Sequence, residues 1–248
     1  MSLNLDVINL SLALKAGVAP VHFWFPQIIA SINWTQSFII LTWQKIAPLI
    51  LISYNYSWLV VALIISSASI GAIGGLNQIN TKKLLAFSSI INVSWLISIS
   101  FINLNSWWVY FILYSLIVTS VIISFKFLFI NSINDVIKIK AHFIRILIIF
   151  INILSLAGLP PFTGFYIKII VIENILINRD IVIIILILLI SSIISFYFYI
   201  RLIYLILIQF NKISLINYTP HKTSTLFSLL ITISMVTNLL IPVYRLLL

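Results

Sequence analysis

Along this chain, apolar runs of helix length alternate with short breaks rich in Asn, Lys, Gly or Pro, and nowhere does a long polar tract intervene. Several runs, such as residues 181–199 and 107–125, are long enough to cross a ~30 Å hydrocarbon core at 1.5 Å per residue. Run length and punctuation predict helices at 3–18, 36–53, 57–75, 83–101, 107–130, 143–172, 181–209 and 224–245. The expected fold is all-α: one transmembrane domain over 1–248, a polytopic bundle of about eight membrane helices. Trp58, Trp107, Trp108, Tyr54 and Tyr56 fall at predicted helix ends, where amphipathic rings favour the membrane interface.

Two segments depart from plain apolar helix, LKAGVAPVHFWFP at 14–26 and LSLAGLPPFTGFYIK at 154–168, and each combines Gly, Pro and Lys. Pro removes a backbone donor and crowds the preceding turn, so the helical ladder is expected to open near Pro20 and near Pro160–Pro161. Open backbone at membrane depth survives only where protein buries it or water lines it, and broken helices of this kind mark binding or translocation sites in transporters.

Composition sharpens the class. The chain is 62% hydrophobic and only 7% charged, against about 25% charged residues in soluble domains. Its net charge of +10 does not point to nucleic acid, because Lys and Arg stand singly or in pairs between apolar runs, as topology signals do. With eight crossings, Lys82, Lys83, Lys138, Lys140, Arg145, Lys212 and Lys222 fall on one side and only Arg179 and Arg245 on the other. That bias puts loops 19–35, 76–82, 131–142 and 210–223 on the cytoplasmic or matrix side and both termini on the opposite side. The opening residues lack a positively charged n-region, so no cleavable signal peptide is expected. Cysteine is absent, and His22, His142 and His221 lie far apart. Thiol chemistry, metal ligation and haem ligation are therefore not expected of this chain.

The candidate chemistry lies in cations placed inside the membrane. Lys45 sits in FIILTWQKIAPLILIS, near the middle of its predicted helix and too deep to snorkel, with Thr42, Gln44 and Pro48 nearby. A central Lys costs ~2.5–3.5 kcal/mol on insertion scales, which calls for a hydrated cavity or a counter-charge. Lys168 follows the Pro160–Pro161 break within an apolar stretch relieved only by Thr163 and Tyr166; Lys15 precedes Gly17 and Pro20 close enough to a boundary to snorkel. Low dielectric favours the neutral amine, so such lysines can exchange protons, and a hydrated row of Lys15, Lys45 and Lys168 would be a proton relay. The competing reading of each is a structural Lys paired with a partner's carboxylate. His22 is a possible further relay, or an interfacial His making one backbone bond. Arg201 is always charged and is expected to pair with a carboxylate, a carbonyl or a lipid phosphate. Glu173 reads as a surface partner for Arg179 or a proton-exit group. Lys126 should snorkel, Asp135 and Asp180 read as loop charges, and Lys82–Lys83 anchor the topology and meet anionic lipid.

Taken together, LKAGVAPVHFWFP, LTWQKIAPLILIS at 41–53, GGLNQINTKKLLAFSSI at 74–90, LSLAGLPPFTGFYIK and FYFYIRLIY at 196–204 resemble the antiporter-like membrane subunits of respiratory NADH:ubiquinone oxidoreductase, complex I, and in particular its mitochondrial chain 2. The resemblance implies an antiporter-like bundle in the mitochondrial inner membrane. It implies that Lys15, Lys45 and Lys168 belong to a central hydrophilic axis for redox-coupled proton pumping. It further implies that the chain acts within an NADH:ubiquinone reductase without redox chemistry of its own. Flavin, iron–sulfur clusters and quinone would then sit in partner subunits, and the chain's partners would be other membrane-arm subunits and inner-membrane lipids. Members of the family usually carry about three further helices before the first motif, with a membrane-embedded Glu that pairs with the axis lysines. This sequence starts just before Lys15, and Asp6 is no substitute. The alternatives are a stand-alone cation/proton antiporter and a structural subunit without its own proton channel.

Overall fold

The computed structural model describes residues 2–55, 57–138, 143–178 and 182–213. Among the described residues eleven helices follow one another: α1 (Ser2–Ala16), α2 (Trp24–Ser31), α3 (Trp34–Leu41), α4 (Trp43–Ser53), α5 (Trp58–Leu76), α6 (Thr81–Ser100), α7 (Leu104–Phe127), α8 (Ile133–Lys138), α9 (Phe143–Ala157), α10 (Thr163–Asn178) and α11 (Val182–Ile213). Among the described residues, the stretches Trp34–Ser53, Trp58–Leu76, Thr81–Ser100, Leu104–Phe127 and Ile183–Ile208 are each long and apolar enough to cross a membrane. The all-α expectation holds, and the predicted helix 224–245 lies outside the described residues.

Three predicted boundaries are corrected. Residues 19–35, read as a loop, contain α2 and the start of α3; an eight-residue helix is too short to register as a membrane run. The predicted helix 143–172 is two helices, α9 and α10, parted at Gly158–Phe162, and the second continues to Asn178. The predicted helix 36–53 begins earlier, at Trp34, and is interrupted at Thr42 (φ −119°, ψ −75°). Local causes for that interruption are at hand. Thr42 Oγ1 donates back to the Phe38 carbonyl at 2.8 Å, a bond that bends helices, and Pro48 cannot donate to the Gln44 carbonyl it crowds.

Helix α6 is the hub, buried on nearly all sides and packed by α5, α2, α7, α4, α10 and α11. Its serines explain how a polar sequence occupies that position. Ser88, Ser89, Ser94, Ser98 and Ser100 each donate to the carbonyl three residues back, at 2.6–2.9 Å. The hydroxyls are thereby satisfied within the helix, and their small size lets neighbours close in. Helix α5 approaches equally closely, since a Cβ at Gly71 would lie 2.8 Å from the Ile91 side chain.

Helix α11 shows the reverse division. Ile183, Leu186, Ile190, Ile193, Tyr197, Ile200, Tyr204 and Leu207 are exposed at alternating three- and four-residue spacing, while Leu188, Ser191, Ser195, Phe198 and Leu202 are buried. That periodicity makes one continuous outward stripe. Because lipid is as apolar as the core, the two faces differ in side-chain size and polarity more than in hydrophobicity.

Candidate functional site

The two Pro-containing segments fold alike. At the end of α1, Gly17 takes φ +70°. Its N–H donates to the Leu14 carbonyl at 3.2 Å, and Val18 N–H donates to Ala13 at 2.9 Å. At the end of α9, Gly158 takes φ +78°. Its N–H donates to Ser155 at 3.0 Å, and Leu159 N–H donates to Leu154 at 3.3 Å. Both are Schellman closures: the paired six-to-one and five-to-two bonds satisfy the last carbonyls, and the left-handed residue is a glycine, which takes positive φ without a Cβ penalty. Pro20 and Pro160 then prevent the helix from resuming at once. Each break is thus a built stop where the Gly–Pro pattern places an opening of the ladder, and each is followed by a second helix, α2 or α10, that the pattern did not predict.

Lys168 uses the second break directly. From α10 its ammonium reaches back to donate to the Ala157 carbonyl at 3.4 Å, so the cation sits at the negative end of α9. Across the same gap, the Ser155 and Thr163 hydroxyls lie 3.2 Å apart. A Cβ at Gly158 would stand 2.8 Å from the Lys168 nitrogen, and one at Gly164 would collide with the Ser155 carbonyl. Both glycines therefore belong to the site. The sequence marked Gly158 only as a helix breaker and drew no attention to Gly164, because neither close approach is visible without the fold.

Lys45 is more enclosed, at 1% exposure. It occupies the first turn of α4, just after the interruption at Thr42. Its ammonium donates to the Ser89 carbonyl of α6 at 3.3 Å and lies 4.7 Å from the centre of the Phe25 ring of α2. A ring face attracts a cation more strongly once water is removed. Phe25 also packs against Gly17, whose added Cβ would meet the ring at 2.8 Å. The first break and Lys45 are thus mechanically connected.

Lys15 is placed differently. It lies in the last turn of α1 with its side chain exposed at the surface of the chain. Helix α1 packs on α4, and both α4 and α10 pack on α6, so the three lysines are distributed around shared helices. His22 is buried, and its Nδ1 lies 3.2 Å from the Pro20 carbonyl within the first break. It lines a cleft of about 180 Å³ with Phe23, Pro26, Gln27, Gln78, Lys83 and Phe87.

A group of tyrosines escaped the sequence reading because they sit in runs that look merely apolar. The Tyr110 hydroxyl donates to Asn92 Oδ1 at 2.9 Å, and Asn92 Nδ2 donates to the Ser88 carbonyl at 2.9 Å. Tyr114 is buried with Ser89 and Tyr199 as its electrostatic neighbours. The buried Tyr199 hydroxyl faces Ser88 without hydrogen-bond geometry to a partner among the described residues. These groups gather on the same stretch of α6 whose Ser89 carbonyl accepts from Lys45.

Two further cations among the described residues serve as helix caps. Lys82 donates to the Ile32 carbonyl at the end of α2, at 2.6 Å, and lies over Trp34. Arg201 donates to the carbonyls of Leu76, the last residue of α5, and Gln78, which selects the carbonyl option among its expected partners. Lys126 is exposed in the last turn of α7, consistent with snorkelling. Asp135, read as a loop charge, accepts from the Asn131 and Ser132 N–H groups at 3.1 and 2.7 Å and so caps α8. Glu173 is exposed on α10, whereas Arg179, Asp180, His142 and His221 lie outside the described residues.

A sequence profile of the family described as "NADH:quinone oxidoreductase/Mrp antiporter, TM" matches residues 1–195. The chain belongs to this family. It is 40% identical over 239 residues to NADH-ubiquinone oxidoreductase chain 2 of Anopheles gambiae, covering 91% of this chain and 67% of the relative. It is 38% identical to the same-named protein of Aedes aegypti, covering 95% and 70%. Among solved structures, respiratory complex I from Thermus thermophilus contains a chain that superposes with a TM-score of 0.81 at 20% identity, over 97% of this chain and 56% of the other. The NADH:quinone oxidoreductase/Mrp antiporter chain therefore spans about two thirds of those curated relatives and just over half of that solved chain. The matched region includes both broken helices as well as Lys15, Lys45 and Lys168.

Proposed function

We propose that this chain is a proton-conducting membrane-arm subunit of a respiratory NADH:ubiquinone oxidoreductase in the mitochondrial inner membrane. In this reading electron transfer occurs in partner subunits, and this chain contributes a relay centred on Lys45. The observation that carries it is the setting of Lys45: a cation buried in the bundle, held by one mid-helix carbonyl and one aromatic face, beside a helix broken at membrane depth. Lys168 at the second break and Lys15 at the first are the neighbouring stations, and His22 is a candidate donor near the first.

The proposed step is simple. The Lys45 ammonium releases a proton to water or to a hydroxyl on the Ser89 side and is reprotonated from the side of His22 when charge in a neighbouring subunit changes. Tyr114, Tyr199 and the Asn92–Tyr110 pair supply polar groups onward from Ser89. The energy scale is compatible, since moving one charge through 100 mV requires about 2.3 kcal/mol, comparable to a change of ~2 units in the proton affinity of one lysine.

The test is Lys45→Met in the assembled complex, with NADH oxidation and proton translocation measured separately in sealed vesicles. The expected result is a complex that assembles and pumps fewer protons per NADH, or turns over more slowly under a proton gradient. Unchanged stoichiometry and rate in assembled Lys45→Met would support a structural subunit instead. Cation–proton exchange by the purified chain in liposomes without a redox partner would favour the stand-alone antiporter.

A further inference from the structure

The cleft beside the first break holds more donors than the protein satisfies. Its lining includes His22, Gln27, Gln78 and Lys83 together with Phe23, Pro26 and Phe87, and contains no carboxylate. His22 is only 5% exposed. Its Nδ1 is engaged by the Pro20 carbonyl, which leaves Nε2 to the cleft. Gln78 Nε2 is spent on the Gly74 carbonyl. Among the described residues, neither the Lys83 ammonium nor the Gln27 amide makes a hydrogen bond. The cleft also lies between the first turn of α2, which carries Pro26 and Gln27, and the first turns of α6, which carry Lys83 and Phe87. Two helix N-termini therefore add positive potential beside the partly buried Lys83.

We propose that this cleft binds the phosphodiester headgroup of an anionic phospholipid. Lys83 supplies the charge and the Gln27 amide donates beside it; with its Nδ1–H on the Pro20 carbonyl, His22 adds an Nε2–H donor only in its imidazolium form. The volume of about 180 Å³ is several times a single water's ~30 Å³ share of liquid. Its position fits a lipid better than a free anion. Lys83 lies in the first turn of a membrane-length helix, where headgroups are found. Phe23, which lines the cleft, is 73% exposed, and Ile79, next in sequence to the lining residue Gln78, is 61% exposed, apolar surface suited to acyl chains. The site shares His22 with the proton-conduction reading, but its test changes only Lys83, which has no role there, so the two can fail separately.

The experiment uses membranes carrying the full-length chain in its native assembly, into which phosphatidylglycerol bearing a photoreactive group next to its phosphate is introduced, with the matching phosphatidylcholine probe in parallel. The expected result is labelling of peptides covering residues 21–27 and 78–87 by the anionic probe. Lys83→Gln should lower that labelling about fivefold, the ~1 kcal/mol that one lysine contributes near anionic lipid. Lys83→Arg should retain it, and Lys126→Gln, an exposed lysine elsewhere, should leave it unchanged. Equal labelling by phosphatidylcholine, or labelling by the anionic probe that survives Lys83→Gln, would overturn the proposal. Loss of labelling to millimolar inorganic phosphate would assign the site to a free anion and overturn the lipid as its occupant.

Discussion

Four cations described above meet carbonyls, yet they do so in two ways. Lys82, Lys168 and Arg201 end on the last carbonyls of α2, α9 and α5, where unpaired lone pairs and the helix dipole stabilise positive charge. Lys45 instead meets Ser89 in the middle of α6 and the face of Phe25, so the fewest fixed dipoles balance its charge. A chain with 14 Lys and Arg against 4 Asp and Glu thus uses helix ends as counter-charges. A buried charge without a counter-ion carries a desolvation cost of roughly several kcal/mol, which an apolar group of similar length removes. Lys45→Met is therefore expected to leave the thermal midpoint of the assembled complex unchanged or raised while proton translocation falls. Lys168→Met should destabilise more, because it leaves the Ala157 carbonyl without its donor. Differential scanning fluorimetry of the two purified complexes compares them.

At the same scale, Gly158 is expected to be intolerant. Gly158→Ala forces an L residue to positive φ, a cost of roughly 1–2 kcal/mol, and pushes its methyl into the Lys168 nitrogen. If the second effect matters, Lys168→Met should relieve part of the damage, so that the double variant is more stable than the two single costs added together predict. Strict additivity would confine the effect of Gly158→Ala to its backbone.

The elements show which parts of the fold could be read in advance. Both breaks were legible because Gly and Pro act through the backbone alone: AGVAP and AGLPP state their stops without tertiary context. Helix α2 was not legible, since FPQIIAS is too short for a length rule, and the interruption at Thr42 depends, besides Pro48, on a bond from Thr42 to the Phe38 carbonyl that the sequence does not show. Lys45 and Lys168 were legible as misplaced charge, but their partners were not, because Ser89 is 44 residues from Lys45 and Ala157 reaches Lys168 only through the turn at Gly158. The tyrosines on α7 and α11 matter through their register against α6, which one run of apolar letters does not reveal. Arg201 gives a prediction at this level. It spans from α11 to the end of α5 and fixes the turn before α6; charged hydrogen bonds of this kind contribute roughly 1.5–3 kcal/mol. Arg201→Gln is expected to speed amide exchange at Gln78 and Ile79 while leaving the middle of α6 protected, as read by hydrogen–deuterium exchange of the intact complex. Unchanged exchange at the turn would show that the bridge between Asn80 and Ser132 holds it alone.

For the whole molecule, the organising contrast is between a crowded interior of small and polar side chains around α6 and an outer surface that is large and apolar. The stripe on α11 makes that contrast testable. Ile193 is 67% exposed, near the middle of the 26-residue span Ile183–Ile208, whereas Ser191, two residues earlier, is buried. Ile193→Leu and Ile193→Phe should be accepted, because the outward face imposes volume only loosely. Ser191→Phe should fail, because overpacking a closed helix interface typically costs 1–3 kcal/mol. Ile193→Lys should reduce insertion or assembly, since a central lysine costs ~2.5–3.5 kcal/mol and, unlike Lys45, it would find neither a carbonyl nor a ring prepared for it. Quantifying the chain in membranes and in the assembled complex separates these outcomes. Equal tolerance of Ser191→Phe and Ile193→Phe would mean that α11 is rotated relative to the arrangement described here, and the placement of Tyr199 beside Ser88 and Tyr114 would fall with it.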